Sequence, residues 1–323
     1  MSKTTKVWLI IAASLVLIGC ILFAGVMSTL RWDFTNLSTV QYETNTYEIS
    51  EVFDRISMNT DTADIVFAFS DDGKCIVECH EEENAKHSVT VEDGTLTVEL
   101  IDERSVSDYI LRINIGSPKI TIFLPKTEYA SLLIHGETCD VEIPNGFLFK
   151  NVDISLGTSD VYFGASASET IRIKGGTSHI CAENISAGSV DLSVGTGNVT
   201  AAGVNCEGDL IVGIATGKVH LSDINCKNLT SSGKTSDISL NNVIAIEKFL
   251  IKTVTGDVEF DGCDAAEISI ENKTGDVVGN LLTDKVFITE VSTGKIDVPK
   301  TMAGGICEIK TGTGDIKITV KRS

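Results

Sequence analysis

A four-residue pattern that recurs ten times sets the strongest limit on how this chain can fold. Each copy consists of a threonine, a small residue, a polar residue and then valine or isoleucine, as in Thr255-Gly256-Asp257-Val258. The ten threonines are Thr138, Thr158, Thr177, Thr196, Thr216, Thr235, Thr255, Thr274, Thr293 and Thr313. Successive threonines are 19 or 20 residues apart. A repeat of that length with strand-like patterning predicts a solenoid in which each repeat forms one coil.

Apolar residues fall at fixed distances from these threonines. Six residues before the threonine stand Leu132, Val152, Ile171, Val190, Leu210, Leu229, Phe249, Ile268 and Cys307. Four residues before it stand Ile134, Ile154, Ile173, Leu192, Val212, Ile251, Ile270 and Ile309. Eight residues after it stand Ile185, Val204, Ile224, Val243, Cys263 and Leu282. Because positions two apart share a strand face, the first two columns point into a core. We therefore expect an all-β chain that forms a parallel β-helix, with 19–20 residues and three short strands in each coil.

The chain divides into five segments on these patterns. We assign residues 1–6 to a cytoplasmic N-terminus, 7–30 to a transmembrane anchor, 31–50 to a linker, 51–125 to an N-terminal β region that caps the solenoid, and 126–320 to the solenoid repeats. The cap region matches the repeat less well, although Thr62-Ala63-Asp64-Ile65 is an outlying copy. Terminal coils of solenoids usually depart from the repeat because they close an apolar end.

The N-terminal segment Val7–Leu30 has 24 consecutive residues without a charge, and about 20 apolar residues cross a bilayer as a helix. Lys3 and Lys6 precede it, so the positive-inside rule predicts a single-pass cell-membrane protein with a cytoplasmic N-terminus and an extracytoplasmic C-terminal domain. Two alternatives stay open. The segment Leu17-Ile18-Gly19-Cys20 resembles the lipobox of bacterial lipoproteins, in which the cysteine is lipidated. A cleaved signal peptide is the other, although its apolar region usually has only about 7–15 residues.

The charge of the chain restricts its partners. It has 45 acidic and 26 basic residues, for a net charge of −19. Nucleic acids and anionic lipid headgroups both require a basic face, so neither is expected as a partner. We predict instead a protein or a cationic component of the cell envelope, with membrane contact through the N-terminal helix alone.

The polar position of the repeat raises the question of a metal or catalytic site. Asp237, Asp257 and Asp276 stand at this position in three neighbouring coils. Stacked carboxylates could bind Ca²⁺, or form the acid cluster of a polysaccharide lyase or hydrolase. Aspartate also favours turns, and Lys218 and Lys295 interrupt the column. We predict no catalytic residue, cofactor or metal, and keep these three aspartates as the residues that would hold an ion.

The nine cysteines do not suggest a disulfide framework. Cys206 and Cys226 belong to a column of small residues and fall on adjacent coils, about 4.8 Å apart, a separation compatible with a disulfide. Two buried thiols are the alternative. Cys75 and Cys79, which precede His80, lie about 13 Å apart if they share a strand, so they are not expected to bind zinc together.

The order of these elements resembles a known family. An apolar span is followed by an Ile/Val-rich sheet segment, then by Ile-Thr-Ile-Phe-Leu-Pro-Lys at 120–126 and by repeated Thr-Gly-Asp-Val. This order resembles the bacterial DUF4097 group, whose members are also labelled as proposed adhesins. The resemblance implies a β-solenoid in a bacterial cell envelope and implies no catalytic residues. We predict a non-enzymatic, adhesin-like interaction or envelope-sensing module; the alternative is a carbohydrate-active lyase or hydrolase.

Overall fold

A computed structural model describes residues 2–33, 38–104, 114 and 116–321. Its helix, α1 (Lys3–Thr29), begins after Ser2, whose hydroxyl accepts a hydrogen bond from the Thr5 backbone N–H. The helix is long and apolar enough to cross a membrane, a property that it shares with signal sequences near an N-terminus. Nearly all of its side chains are exposed, with Met27 as the buried exception.

The described residues after the helix form strands joined by turns and short connections. The strands are β1 (Tyr42–Ile49), β2 (Arg55–Thr60), β3 (Asp64–Phe69), β4 (Cys75–Glu82), β5 (Ala85–Glu92), β6 (Thr95–Asp102), β7 (Lys119–Leu124), β8 (Glu128–Thr138), β9 (Val141–Ile143), β10 (Leu148–Phe163), β11 (Ser166–Glu183), β12 (Ser186–Cys206), β13 (Asp209–Thr255), β14 (Val258–Cys263), β15 (Glu267–Thr274), β16 (Val277–Leu281), β17 (Lys285–Thr293), β18 (Ile296–Asp297), β19 (Gly305–Thr313) and β20 (Ile316–Val320).

Neighbouring coils pair in parallel with the repeat in register. Thr158 lies opposite Thr177, Thr177 opposite Thr196, and Thr196 opposite Thr216. The residues named above for the two columns before the threonine are 0–1% exposed. The predicted solenoid with one coil per repeat is thus confirmed. Because β-strand geometry turns every second side chain inward, these columns merge into one continuous apolar core.

The prediction for Leu282 is wrong, because this side chain is 39% exposed and Leu281 is buried in its place. Seven residues after the threonine, five coils have a residue with positive φ, and all five are Asn, Asp or Gly: Asn184, Gly203, Asp223, Asn242 and Gly262. These types tolerate the left-handed region best. Leu281 stands at that position in the next coil and is not in this conformation. The register against the preceding coil therefore shifts, and Leu281 pairs with Cys263.

The glycine of the repeat is required where coils approach closely. Gly217 has φ +139°, and a Cβ added there would lie 1.6 Å from the carbonyl oxygen of Gly197. Corners without this glycine have a different backbone, so Ser159, Ser178 and Ser236 are accommodated with their side chains buried.

The coils at both ends of the stack are out of chain order. At the N-terminal end, β2 pairs with both β6 and β8, and β3 pairs with both β7 and β9. The first coil, β2–β3, therefore lies between the layer of β6 and β7 and the coil of β8 and β9. At the C-terminal end, β19 pairs with both β15 and β17. The last coil is therefore inserted between the two coils that precede it in sequence. We call β2–β3 and β19–β20 the inserted coils.

The two ends of the stack differ in how they are covered. At the N-terminal end, β4 pairs antiparallel with β7 and β5 pairs antiparallel with β6, so these strands close the core. Strand β1 pairs antiparallel with β4, although its residues lie within the segment 31–50 that we expected to be a linker. At the other end, no strand among the described residues pairs with the outer edge of β17.

Candidate binding groove and polar columns

A groove of about 610 Å³ lies on one side of the solenoid, and its floor crosses six coils, from Phe149 to Ile244. Its floor is formed by consecutive residues of the small-residue column, Ala167, Ala187, Cys206 and Cys226, with Phe149 at one end. At a coil spacing of about 4.8 Å, five intervals give a length of about 24 Å. Because the side chains of the floor are small, the surface there lies lower than the flanking residues on either side, and this difference forms the groove.

The walls of the groove are polar at the centre and apolar at the ends. Asn225 donates an amide hydrogen bond to Asn205 on the neighbouring coil, at 3.3 Å. Leu148 lies at one end and is 50% exposed, whereas Ile246 lies at the other end and is 72% exposed. The groove therefore offers two separated apolar contacts joined by hydrogen-bonding groups.

The charged side chains that line the groove are both acidic. They are Glu128 and Glu207. Glu128 accepts a hydrogen bond from the Ser168 hydroxyl, which holds its carboxylate towards a coil two repeats further along the chain. Since the chain as a whole has a net charge of −19, the groove lies in a negative field and favours a cationic occupant.

The structure brings Cys206 and Cys226 together on the floor, one coil apart, as free thiols. Burial raises the pKa of both, that of Cys226 to about 12. The Cys206 thiol donates to the carbonyl oxygens of Asp209 and Gly188 at 3.3 and 3.5 Å. At neutral pH these thiols act as small apolar side chains of the floor, and the disulfide stays a prediction.

Asp237, Asp257 and Asp276 lie on successive coils at an exposed corner, where they form a ladder of hydrogen bonds. Oδ1 of Asp237 accepts from the backbone N–H of Asp257 at 3.2 Å, and Oδ1 of Asp257 accepts from that of Asp276 at 2.8 Å. Oδ1 of Asp276 then accepts from the N–H of Asp315, and Oδ1 of Asp315 from that of Lys295, both at 2.8 Å. The ladder follows the spatial order of the coils, including the inserted one.

This ladder gives the polar column a structural role that the sequence pattern does not reveal. Aspartate at a repeat corner is commonly explained as a turn former; here one carboxylate oxygen also satisfies a backbone N–H of the next coil. The lysine at the end of the ladder, Lys295, has no acceptor to offer, and no further coil follows it among the described residues.

A second recess, of about 930 Å³, lies at the same corner near the N-terminal end. Asp61, Asp64, Asp140, Asp160 and His179 are among its lining residues. Two of these carboxylates make the same kind of contact as the ladder, because Asp64 accepts from the Asp140 N–H and Asp140 from the Asp160 N–H. At this recess, acidic residues of the polar column line a concave surface.

A buried polar cluster lies beneath the N-terminal cap, and sequence analysis missed it. The thiol of Cys79, the carboxylate of Glu81 and the imidazole of His87 lie within 4.8 Å of one another. His80, next to Cys79, faces the other way and stacks on Tyr42. Such a donor set is one that Zn²⁺ accepts. The sequence does not indicate that His87 joins this cluster, because the contact depends on the antiparallel pairing of β4 with β5.

The cluster is satisfied by its own hydrogen bonds. The His87 backbone N–H donates to Oε2 of Glu81 at 2.6 Å, and Nδ1 lies 2.8 Å from the same oxygen. The Asn45 amide donates to Oε1 at 2.9 Å. Burial raises the pKa of Glu81, but these hydrogen bonds outweigh burial and hold the pKa below its ordinary value. The pair thus ties β1, β4 and β5 together.

The comparisons with known proteins bear on the solenoid as a whole. The sequence matches the Toastrack DUF4097 family over residues 53–213 and again over residues 207–323. No curated protein matches the sequence. A crystal structure of a proposed adhesin from Bacteroides fragilis is 16% identical, with a TM-score of 0.42, and the match covers 86% of this chain and 97% of that one.

Two crystal structures from Parabacteroides distasonis are also similar. One, a proposed lipid-binding protein, is 15% identical with a TM-score of 0.43, over 88% of this chain and 98% of that one. The other, a proposed adhesin, is 12% identical with a TM-score of 0.44, over 86% and 98%.

Proposed function

We propose that this chain, which belongs to the Toastrack DUF4097 family, is a non-enzymatic binding module that is held at the bacterial cell membrane by α1 and presents its solenoid outside the cell. The occupant of its groove is an extended, basic segment of another envelope protein. The observation that carries the proposal is the groove itself, which combines an apolar contact at each end with carboxylates and no cationic side chain among its lining residues.

The dimensions of the groove favour an extended peptide. A strand rises about 3.4 Å per residue, so about seven residues span its length of about 24 Å. Apolar side chains of such a peptide would contact Leu148 and Ile246, while Asn205 and Asn225 offer hydrogen bonds to its backbone. Glu128 and Glu207 select basic side chains by charge complementarity.

The anchor supports a location at the membrane. Its 27-residue helix, with exposed apolar side chains, is long enough to cross the hydrocarbon core of a bilayer. With Lys3 and Lys6 at its start, the positive-inside rule predicts that the solenoid lies on the outer side. The groove contains no residue of α1. If the solenoid were found on the other side of the membrane, the proposed binding of a peptide in the groove would therefore still stand.

A carbohydrate-active enzyme is the second candidate, and the recess near Asp140 and Asp160 is the observation that favours it. Concave sites suit small-molecule chemistry better than flat faces. Two of its carboxylates, those of Asp64 and Asp140, each accept a backbone N–H of the next coil, however, which suits a structural role. Turnover of a polysaccharide that is lost in Asp160→Asn would support the enzyme and contradict a purely binding function.

A direct test uses the full chain in detergent micelles and two labelled seven-residue peptides, one alternating Lys and Leu and the other alternating Glu and Leu. Fluorescence anisotropy should detect binding of the basic peptide only, with an affinity that falls as salt rises. Equal binding of both peptides, or binding that is insensitive to salt, would contradict the proposal.

Matched variants locate the binding. Ile246→Ser should weaken binding about tenfold or more, since a buried isoleucine contributes about 1.5–3 kcal/mol. Ile211→Ser removes a partly exposed apolar side chain outside the groove and should leave binding unchanged. Glu207→Gln should weaken binding about two- to fivefold, whereas Glu259→Gln, with the same charge change elsewhere, should not. Equal effects within either pair would show that the groove is not the site.

A further inference from the structure

The C-terminal end of the solenoid leaves its apolar core uncovered. Ile296 occupies the fourth position of the repeat, where the nine equivalent residues of other coils are only 0–1% exposed. Ile296 itself is 44% exposed. Phe287 and Val291, which continue the inward face of β17, are also only partly buried. Among the described residues β17 is paired along one edge only. Backbone groups along its other edge therefore have no strand partner, and the apolar face formed by Phe287, Val291 and Ile296 is not covered.

An uncovered end of this kind is unfavourable for an isolated chain. Solenoids normally carry a terminal cap, because the open coil exposes apolar side chains and unpaired N–H and C=O groups. The N-terminal end of this molecule has such a cap in β4 and β5. The contrast between the two ends indicates that the C-terminal end is an interface.

The charge of this end suits a second copy of the chain. Residues 284–300 contain three acidic residues and three lysines, which cancel, whereas the whole chain has a net charge of −19. Lys285 pairs with Asp264 at 2.5 Å, with both side chains largely buried, so the segment together with Asp264 has a net charge of −1. Two copies can therefore approach end to end with much less like-charge repulsion than along their sides.

The sequence of β17 is also compatible with pairing to itself. In an antiparallel pair related by a two-fold axis at Thr289, each Phe287 lies opposite Val291 of the other copy. Cross-strand pairs of an aromatic with a β-branched residue are favourable, and a Thr–Thr pair is as well. The charged Glu290 lies opposite Ile288 rather than opposite its own copy, so no like charges face each other directly.

From these observations we propose that two copies of the chain associate end to end through antiparallel pairing of their β17 strands, which continues the sheet and covers both cores. The proposed interface is two-fold and isologous, so that both copies use the same surface. It lies at the end of the solenoid and does not involve the groove on its side, so it stands independently of the function proposed above.

A cysteine at the two-fold axis tests the register. Residues that face each other in an antiparallel pair have Cα atoms about 4.5–5.5 Å apart, which is within disulfide range. The full chain in detergent micelles, with Cys20 and Cys181 changed to serine, should therefore form a covalent dimer when it carries Thr289→Cys and is mildly oxidised. Glu290→Cys should not cross-link, because its own copy would lie two positions away. Absence of the Thr289→Cys dimer, or equal cross-linking of both variants, would overturn the proposal.

Sedimentation velocity tests the association without cross-linking. Ile296→Glu places a carboxylate on the uncovered core and should weaken the dimer at least about tenfold, the effect of 1.4 kcal/mol. Ile211→Glu changes a residue of similar exposure, 42%, on the side of the solenoid, and should leave it intact. Circular dichroism verifies that both variants fold. A wild-type chain that stays monomeric, or equal effects of the two variants, would refute the interface.

Discussion

Ser231 is a polar residue inside the apolar core, and its replacement should stabilise the solenoid. It stands four residues before Thr235, in the column that holds Val212 and Ile251 in the adjacent coils. Its side chain is 0% exposed, and its hydroxyl has no hydrogen-bond partner among the described residues. Burying an unpaired hydroxyl costs about 1–3 kcal/mol in proteins.

The cost can be isolated with two variants of equal shape. Ser231→Thr keeps the hydroxyl and adds a methyl group, whereas Ser231→Val replaces the hydroxyl with a second methyl group. Because the two side chains fill nearly the same volume, packing effects cancel in their difference. We expect the valine variant to be more stable than the threonine variant by about 1–3 kcal/mol. Ser231→Ala, which adds no atoms, should also exceed the wild type.

Hydrogen exchange is the suitable assay. Solenoid coils can open separately, so a single unfolding transition is not assured. Both tryptophans, Trp8 and Trp32, lie in or beside α1, and their fluorescence does not report on the coils. Amide exchange in residues 229–255 measures local opening directly. Equal opening free energies for the threonine and valine variants would refute the argument, since the hydroxyl would then have to be satisfied in the folded protein.

Three further predictions concern other features. Asp257→Ala removes one hydrogen bond of the ladder and should cost about 0.5–1.5 kcal/mol, whereas Asp257→Asn keeps the acceptor and should not. Amide hydrogen exchange in the adjacent coils compares the two variants, and equal losses would contradict the ladder. The folded-state pKa of Glu81 is lowered, so its contribution is present above the unfolded value of about 4.3 and is lost as pH falls through the folded value. Circular dichroism between pH 3 and 7, a range chosen around about 4.3, should show acid destabilisation that Glu81→Gln reduces, and an unchanged profile would argue against it. Deletion of residues 304–321 should also abolish exchange protection in Lys285–Thr293, because that strand pairs with the deleted coil; retained protection would show that it packs elsewhere.

The fold could be predicted from the sequence because the repeat is local and regular. The period of 19 or 20 residues and the inward columns follow from strand geometry alone, and residues such as Val212 and Ile251 are buried as expected. The error at Leu282 arose where a left-handed corner residue was missing. The sequence pattern marks such corners only through Asn, Asp or Gly, and a single leucine at that position is easily overlooked.

Other features depend on contacts that no local pattern encodes. Strand β1 lacks the repeat and is recognisable only by its pairing with β4. The insertion of β19 between β15 and β17 leaves the spacing of the threonines unchanged, so the period cannot reveal it. The sequence predicts that Cys206 and Cys226 share a column of small residues, but a groove depends on the residues that flank this column in space. His87 and Glu81 meet because a hairpin brings them together.

The inserted coils determine how the solenoid would respond to tension. In an ordinary solenoid pulled at its ends, the terminal coil peels away by breaking contacts with one neighbour at a time. Here β19–β20 lies between two layers, so a load at the C-terminal end enters a coil that is held on both sides. At the N-terminal end the load first reaches β1, which pairs with β4, and only then the inserted coil β2–β3. Either inserted coil can be pulled out only by breaking two interfaces together. If the protein links a membrane to a distant partner, the inserted coils would resist unfolding when force is applied along the solenoid.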